Sequence, residues 1–185
     1  MNERKNSMKR FSIVKGHARN IRFGAWFAVL SICLTLLVGL SRAGDERPFK
    51  GVFHGFAEAP TETDVPGVVE IVVPLKGTST HLGKYDMLLV HQLNVNTLAF
   101  TGYTEWTAAN GDKLYTTFIG QAYPTDNPAW VTFDVTHTIT GGTGRFKRAT
   151  GSFEGVGGRF NLVTGEDLGG YLGTISYGRT THCDP

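Results

Sequence analysis

Cysteine is scarce in this sequence, which has two among its 185 residues, Cys33 and Cys183. Cys33 lies in an apolar N-terminal run, and Cys183 is the third residue from the C-terminal end. Removal of the N-terminal run would leave Cys183 alone, which excludes an intramolecular disulfide. The stability of the chain therefore has to come from core packing.

Positive charge is scarce after the N-terminal segment. Residues 1–43 hold eight Lys or Arg side chains and one acidic residue, Glu3, whereas residues 44–185 hold ten basic and fifteen acidic side chains. The larger part of the chain is therefore acidic, with a net charge of −5. Because nucleic acid binds to cationic surfaces, we expect no nucleic-acid partner.

The one long apolar run is residues 24–40, which contains no charged side chain. Basic residues precede it, and a cut after Ala43 would have small residues, Ser41 and Ala43, at positions −3 and −1. This order is typical of a secretory signal peptide, although the run is also just long enough for an uncleaved membrane anchor. We expect a signal peptide over residues 1–43, one domain over residues 44–185 without a membrane span, and a secreted or periplasmic location.

A helix of three turns is not predicted anywhere in residues 44–185. Glycine accounts for 21 of these 142 residues, and Gly or Pro interrupts most windows of helical length. Between the interruptions Val, Ile, Thr, Phe and Tyr dominate, as strands prefer. Eight strand-like runs result, at about residues 49–58, 67–75, 84–94, 97–107, 112–123, 129–140, 150–161 and 169–178.

Short connections between these runs indicate antiparallel strands. Asn110-Gly111 is a strong hairpin signal because both residues tolerate positive φ, and Thr164-Gly165-Glu166 would form the last hairpin. Eight short antiparallel strands can close into a barrel, which removes exposed sheet edges. The predicted fold class is all-β, an eight-stranded antiparallel up-and-down β-barrel, with an open sandwich as the alternative.

Alternation of side chains assigns the faces of these strands. In the run 129–140, His137 shares the inward face with Val135 and Ile139. The runs 67–75 and 84–94 are apolar on both faces, so the outer face of each needs cover. This pattern predicts a homo-oligomer with these two strands at its interface.

A glycine-rich segment at residues 139–153 carries a family resemblance. It reads I-T-G-G-T-G-R-F-K-R-A-T-G-S-F, and it resembles the G-G-T-G-x-F-x-x-A-x-G segment of the allene oxide cyclase and dirigent barrel superfamily, most of all its small secreted bacterial members. The residues that carry the motif are Gly141, Gly142, Gly144, Phe146 and Gly151. Further shared segments are Thr80-His81-Leu82-Gly83, Ala109-Asn110-Gly111-Asp112 and the terminal stretch 173–177.

The resemblance covers most of residues 49–178 and implies an eight-stranded antiparallel barrel with an apolar lumen, often assembled as a homotrimer. It implies little about activity. Plant relatives cyclise a fatty-acid epoxide or guide the radical coupling of phenols, whereas the bacterial group offers no activity to carry over. One fold hosts many functions.

The glycine motif itself is expected to be structural. Gly141, Gly142 and Gly144 permit positive φ and close backbone approach, and Phe146 and Ala149 suit one helical turn that closes a barrel end. A phosphate-binding loop is excluded because no G-K-[ST] follows. The sequence predicts no cofactor.

Three polar side chains on otherwise apolar strands are the chemical candidates, namely Glu70, His91 and His137. A buried carboxylate with a raised pKa can act as a general base, and histidine can relay protons. The competing interpretation is that these groups find partners within the barrel or lie at its rim. The same three residue types could ligate a metal, but the strands that carry them need not be neighbours, so no metal site is predicted.

These observations leave three hypotheses for function. The first is a secreted barrel that binds a small apolar or amphipathic molecule, because an eight-stranded barrel has room for one small ligand. The second is an isomerase or cyclase related to allene oxide cyclase. The third is a structural envelope protein with a filled barrel. The volume of the lumen and the placement of Glu70 and His91 discriminate between them.

Overall fold

One antiparallel sheet contains most of residues 45–178, the part of the chain that this computed structural model describes. Residues 1–44, which include the predicted signal peptide, and Cys183 lie outside the described residues. The strands are β1 (Arg47–Phe56), β2 (Thr61–Glu62), β3 (Val68–Ser79), β4 (Gly83–Asn94), β5 (Ala99–Ala108), β6 (Lys113–Pro124), β7 (Trp130–Gly142), β8 (Ala149–Asn161) and β9 (Glu166–Tyr177). Residues 45–178 contain no helix with the length and apolar character needed to cross a membrane.

The sheet closes on itself. Its strands follow the order β1-β9-β8-β7-β6-β5-β4-β3, and β1 also pairs with β3. The predicted eight-stranded antiparallel barrel is therefore confirmed, and the open sandwich is wrong. The two-residue strand β2, which the sequence did not predict, adds to the outer part of β3 through the pair Thr61 and Glu70. Because every long strand has two neighbours, the barrel has no exposed edge along its length.

The predicted hairpin signals lie at the turns of the barrel. Gly111 between β5 and β6 has φ of 84°, and Gly165 between β8 and β9 has φ of 74°. This left-handed region favours glycine because a Cβ atom is strained there. Both hairpins join neighbouring antiparallel strands, so the turn chemistry sets the strand order locally.

One end of the barrel is closed by a packed core. A one-turn 3₁₀ helix, Gly144–Phe146, follows β7 and inserts the fully buried Phe146 into that end. Apolar side chains from the adjacent strands and turns fill the rest, among them Phe49, Leu82, Leu114 and Ile175. The burial of these residues removes a continuous apolar surface from water, which is the main stabilising contribution to such a fold.

Two different structural requirements explain why glycine occupies the positions of the motif. Gly141 and Gly144 have φ of 130° and 50°, as expected, and Gly151 has φ of 141°. Gly142 does not have a positive φ, and this expectation needs correction. A Cβ at Gly142 would lie 2.0 Å from the carbonyl oxygen of Lys113. Close approach of the β6 and β7 backbones therefore explains Gly142.

Glycines that face the lumen lie beside its large side chains. A Cβ at Gly77 would lie 2.5 Å from Oη of Tyr85, and a Cβ at Gly120 would lie 2.3 Å from Cζ of Phe100. The same holds for further pairs on neighbouring strands, Gly51 with Tyr171, Gly158 with Phe133 and Gly169 with Phe53. Each absent side chain leaves the space that a ring on the next strand occupies.

Strands β3 and β4, which are apolar on both faces, direct alternate side chains into the barrel and out of it. On β3, Ile71 and Val73 are buried in the interior, while Val72 lies on the outer face. Val72 pairs with Val90, and Val90 pairs with Tyr103, so an apolar row crosses β3, β4 and β5 on the outside. Tyr103 is 55% exposed. In this outer row, Val72-Val90-Tyr103, the two valines are half-buried and Tyr103 faces solvent.

We expect Gly142→Ala to lower the free energy of unfolding by roughly 1–3 kcal/mol, as overpacking of a tight site does. The reason is the contact between the new Cβ and the Lys113 carbonyl oxygen. The matched control is Gly111→Asn, because Gly111 has open space around it and Asn tolerates positive φ. Chemical denaturation of both variants measures the effect, and equal stability of Gly142→Ala and the unmodified protein would contradict the explanation.

Candidate functional site

The barrel encloses a cavity of about 600 Å³ at the end opposite the closed core. Its wall is apolar and is formed by inward side chains of the strands, including Ile71, Val73, Leu89, Phe100, Phe118 and Val135. Its mouth is formed by the segments 57–60 and 162–165 together with Val95 and Leu98. Several apolar side chains at this mouth face solvent, and Val163 is 79% exposed. The cavity is therefore a cup with an apolar rim.

Aromatic rings form the floor of the cup. The ring of Trp106 lies 5.9 Å from that of Phe153 and 5.3 Å from that of Tyr171, both edge to face. Phe153 and Tyr171 are 5.2 Å apart. Edge-to-face contacts of this kind add to the stabilisation from burial alone. The rings separate the cavity from the closed core beneath them.

His137 is held on three sides in this floor. Its ring is stacked on Phe153 at 4.5 Å and 11°, and Phe118 lies on its other side at 4.8 Å. Both phenylalanines are direct cross-strand partners of His137, from β8 and β6. Nδ1 of His137 lies 3.0 Å from Oγ1 of Thr116. Burial lowers the pKa of His137 to about 3, because an imidazolium would lose its hydration.

A chain of buried hydrogen bonds connects Trp106 to His137. Trp106 Nε1 donates to Oγ1 of Thr104, and Oγ1 of Thr104 lies 2.6 Å from Oγ1 of Thr116. Thr116 then contacts His137. Both threonines are 1% exposed, so in the described structure the chain is separated from bulk water.

His91 lines the cavity above His137. Its ring lies 5.5 Å from Phe100 and 6.2 Å from Phe118. Nδ1 of His91 is buried and has no hydrogen-bond partner among the described residues. Burial lowers the pKa of His91 to about 4. The structure thus brings His91 and His137 to one wall, on either side of Phe118.

Glu70 is placed outside the barrel, which corrects its assignment as a lumen residue. It is exposed and alternates with the inward residues Val69 and Ile71 on β3. The outward register follows from the two-residue period of a strand. Glu70 is therefore separated from the two histidines by the barrel wall. Among the described residues, no three His, Cys, Asp or Glu side chains are grouped to hold a metal ion.

Asp167 is a lumen residue that sequence reasoning missed. It is 7% exposed, lines the cavity, and its Oδ1 has no partner in the described structure. Burial raises the pKa of Asp167 to about 7. The alternation of side chains could have identified it, because Asp167, Gly169 and Tyr171 occupy alternate positions on the inward face of β9. The predicted strand began at residue 169 and left Asp167 in the turn.

Tyr171 adds a further buried polar atom among the residues that line this cavity. Its hydroxyl is buried beside Gly51, where a Cβ would lie 2.4 Å away, and lies near the hydroxyls of Ser79 and Tyr85. Burial raises the pKa of Tyr171 to about 12. Buried polar groups are usually paired, so Nδ1 of His91 and Oδ1 of Asp167, which have no partner in residues 45–178, are unusual polar atoms in an otherwise apolar lining.

The closed barrel, the plugged end and the single wide mouth can be compared with solved structures. The pterocarpan synthase dirigent protein GePTS1 superposes with a TM-score of 0.51 over 78% of this chain and 92% of its own, at 12% sequence identity. The barrel is dirigent-like. At this identity the dirigent likeness describes the fold alone. The chain matches no protein-family model, and no curated protein matches its sequence.

The raised pKa of Asp167 predicts a pH dependence of stability. The pKa of this carboxyl is about 7 in the folded barrel and near 3.8 ordinarily, so between these values the unfolded chain releases a proton that the folded chain keeps. Stability from this group is therefore lost as pH rises from about 4 through about 7, and the loss levels off above the folded pKa. His91 and His137 act oppositely, because their folded pKa values are lowered.

The variant Asp167→Asn isolates this contribution. We expect its free energy of unfolding, relative to that of the unmodified protein, to increase by about 2–4 kcal/mol between pH 4 and pH 7. Denaturant unfolding of both proteins across this range measures the difference, in which the contributions of the histidines cancel. A difference that does not change with pH would show that Asp167 ionises normally.

Proposed function

We propose that the barrel binds one small, neutral, mainly apolar molecule in its lumen. The observation that supports this most strongly is the cup of about 600 Å³, apolar along its wall and closed at its floor. Cavities of this volume, with a few polar groups on an apolar wall, are typical of small-molecule sites. Barrels of eight strands can hold one such ligand.

The polar groups of the cup disfavour a ligand with negative charge. In the described residues, the lining contains no Lys or Arg side chain that would pair with a carboxylate or a phosphate. His91 and His137 are neutral at physiological pH, because burial lowers the pKa of each well below 7. A buried anion would therefore lack a counter-charge, which is costly in an apolar site.

The two alternatives fare differently. A structural protein with a filled barrel is disfavoured, because the lumen contains a cavity of about 600 Å³. An isomerase remains the second candidate, and Asp167 favours it. A buried carboxyl with a pKa of about 7 can both release and accept a proton at neutral pH. Turnover of a bound molecule that is lost in Asp167→Asn, with binding retained, would support the enzyme.

Location and assembly complete the proposal. The basic, apolar and small-residue order of the N-terminal segment supports export with cleavage near Ala43. The outer row Val72-Val90-Tyr103 supports a homo-oligomer, and we propose a trimer. A second copy of the chain is the proposed cover, because the acidic body does not favour anionic lipid.

The leucines at 88 and 89 give a matched test of lumen binding. Leu89 lines the cavity, and Leu88 is 45% exposed on the outer face. We expect Leu89→Trp to weaken binding of N-phenyl-1-naphthylamine by about tenfold or more, since the larger side chain fills space that a ligand needs. Leu88→Trp should leave the affinity unchanged. Fluorescence titration measures both, and circular dichroism checks the fold.

Equal affinity of the two tryptophan variants would contradict binding in the lumen. Weakening by Leu88→Trp alone would place the probe on the outer face instead.

The adjacent residues Ile71 and Val72 test the assembly. Ile71 faces the interior and Val72 belongs to the outer row. We expect Val72→Lys to dissociate the oligomer without unfolding it, because the charge lies where a partner would exclude water. Ile71→Lys should lower the thermal midpoint, because a buried unpaired charge is costly. Light scattering that finds a monomer of the unmodified mature protein at micromolar concentration would overturn the proposal.

A further inference from the structure

The buried chain from Trp106 to His137 can run in one direction only. The indole Nε1 of Trp106 is a donor and never an acceptor, so Oγ1 of Thr104 accepts its hydrogen bond. Thr104 has a single hydroxyl hydrogen, and its remaining contact in the described residues is Oγ1 of Thr116, at 2.6 Å. Thr104 therefore donates to Thr116.

The direction of that bond fixes the next one. Because Thr116 accepts from Thr104, its own hydroxyl hydrogen points to Nδ1 of His137, 3.0 Å away. In the reverse order, Nδ1–H of His137 would donate to Thr116, and Thr116 would donate to Thr104. The hydroxyl hydrogen of Thr104 would then have no acceptor. Thr104 is 1% exposed, and buried donors are rarely left unpaired. Nδ1 of His137 is therefore the acceptor.

The ring proton of His137 then resides on Nε2. The neutral imidazole carries one N–H, and Nδ1 is occupied as an acceptor. Phe118 and Phe153 cover the two faces of the ring, so the edge that bears Nε2 remains for contact. His137 lines the cavity, and its Nε2 has no hydrogen-bond partner in residues 45–178. A fixed hydrogen-bond donor results at the floor of the cup.

We propose that the ligand of the cup carries a carbonyl-type oxygen that accepts a hydrogen bond from Nε2–H of His137. This inference rests on the proposed function, since it specifies the ligand of the same cavity. A neutral acceptor suits the site because the imidazole resists protonation, its pKa being lowered by burial. A carbonyl oxygen can only accept a hydrogen bond. It therefore matches Nε2 of His137, which can only donate because the threonine chain keeps the ring proton off Nδ1.

Two naphthalenes of nearly the same shape test the proposal. 2-Acetylnaphthalene has a carbonyl oxygen where 2-isopropenylnaphthalene has a methylene group. We expect the unmodified protein to bind the ketone more tightly than the alkene. The ratio of the dissociation constant of the alkene to that of the ketone should fall about fivefold to tenfold in His137→Phe, because one hydrogen bond supplies a preference of this size. Fluorescence titration of both probes gives the ratio for each protein.

The variant Thr116→Val tests the role of the chain apart from the lumen. Thr116 is buried behind His137 and is absent from the cavity lining, and valine keeps its shape. We expect long-range ¹H–¹⁵N NMR to find His137 as the Nε2–H tautomer in the unmodified protein and as a mixture in Thr116→Val. The preference for the ketone should fall in parallel, while affinity for the alkene stays the same.

The outcomes separate this inference from the proposed function. If both probes bind in the lumen and their ratio is unchanged by His137→Phe, the carbonyl contact is wrong and lumen binding stands. An Nδ1–H tautomer of His137 in the unmodified protein would overturn the contact independently of any probe. If neither probe binds, both the proposed lumen binding and the carbonyl contact fail.

Discussion

The packing of large rings over inward glycines is the constraint on which this barrel depends. An eight-stranded barrel has an interior only wide enough for side chains or one small ligand, so rings on adjacent strands compete for the same space. Glycines such as Gly51, Gly77 and Gly120 leave that space to Tyr171, Tyr85 and Phe100. The rings at the floor can then pack without gaps, while the wall above them stays open. The high glycine content is thus a requirement of interior packing as well as of turns.

The same packing explains why the few polar groups in the lumen are neutral. Rings cover both faces of His137, and Asp167 is 7% exposed beside apolar walls. Desolvation therefore lowers the pKa of the histidine and raises that of the aspartate. Both shifts favour the uncharged form near neutral pH. The interior can then carry hydrogen-bonding groups without a counter-ion. Under the proposed function, the positions of these groups, and not their charge, determine which ligand fits.

Strand number, strand type and the hairpin at Asn110-Gly111 could be predicted because they depend on local periodicity and turn chemistry. The inward placement of His137 followed from the same alternation. Glu70 and Asp167 could not be assigned correctly, since each depended on where a strand begins and which face is inside. A shift of a single residue moves a side chain across the wall. The close approach at Gly142 and the threonine chain involve separate strands, and no local pattern contains them.

The fold and the ligand are consequently fixed by different residues. At 12% identity, this chain and a dirigent protein share a fold, and in this chain the fold follows from glycine placement and alternation. The lining is not fixed by those requirements, because inward positions near the mouth carry side chains that no neighbouring strand needs for closure. Asp167 illustrates the point, because it is buried in the cavity lining, its Oδ1 has no partner in the described residues, and burial raises its pKa. A group of this kind in the lining of an open cavity supports the proposed binding of a small molecule in the lumen.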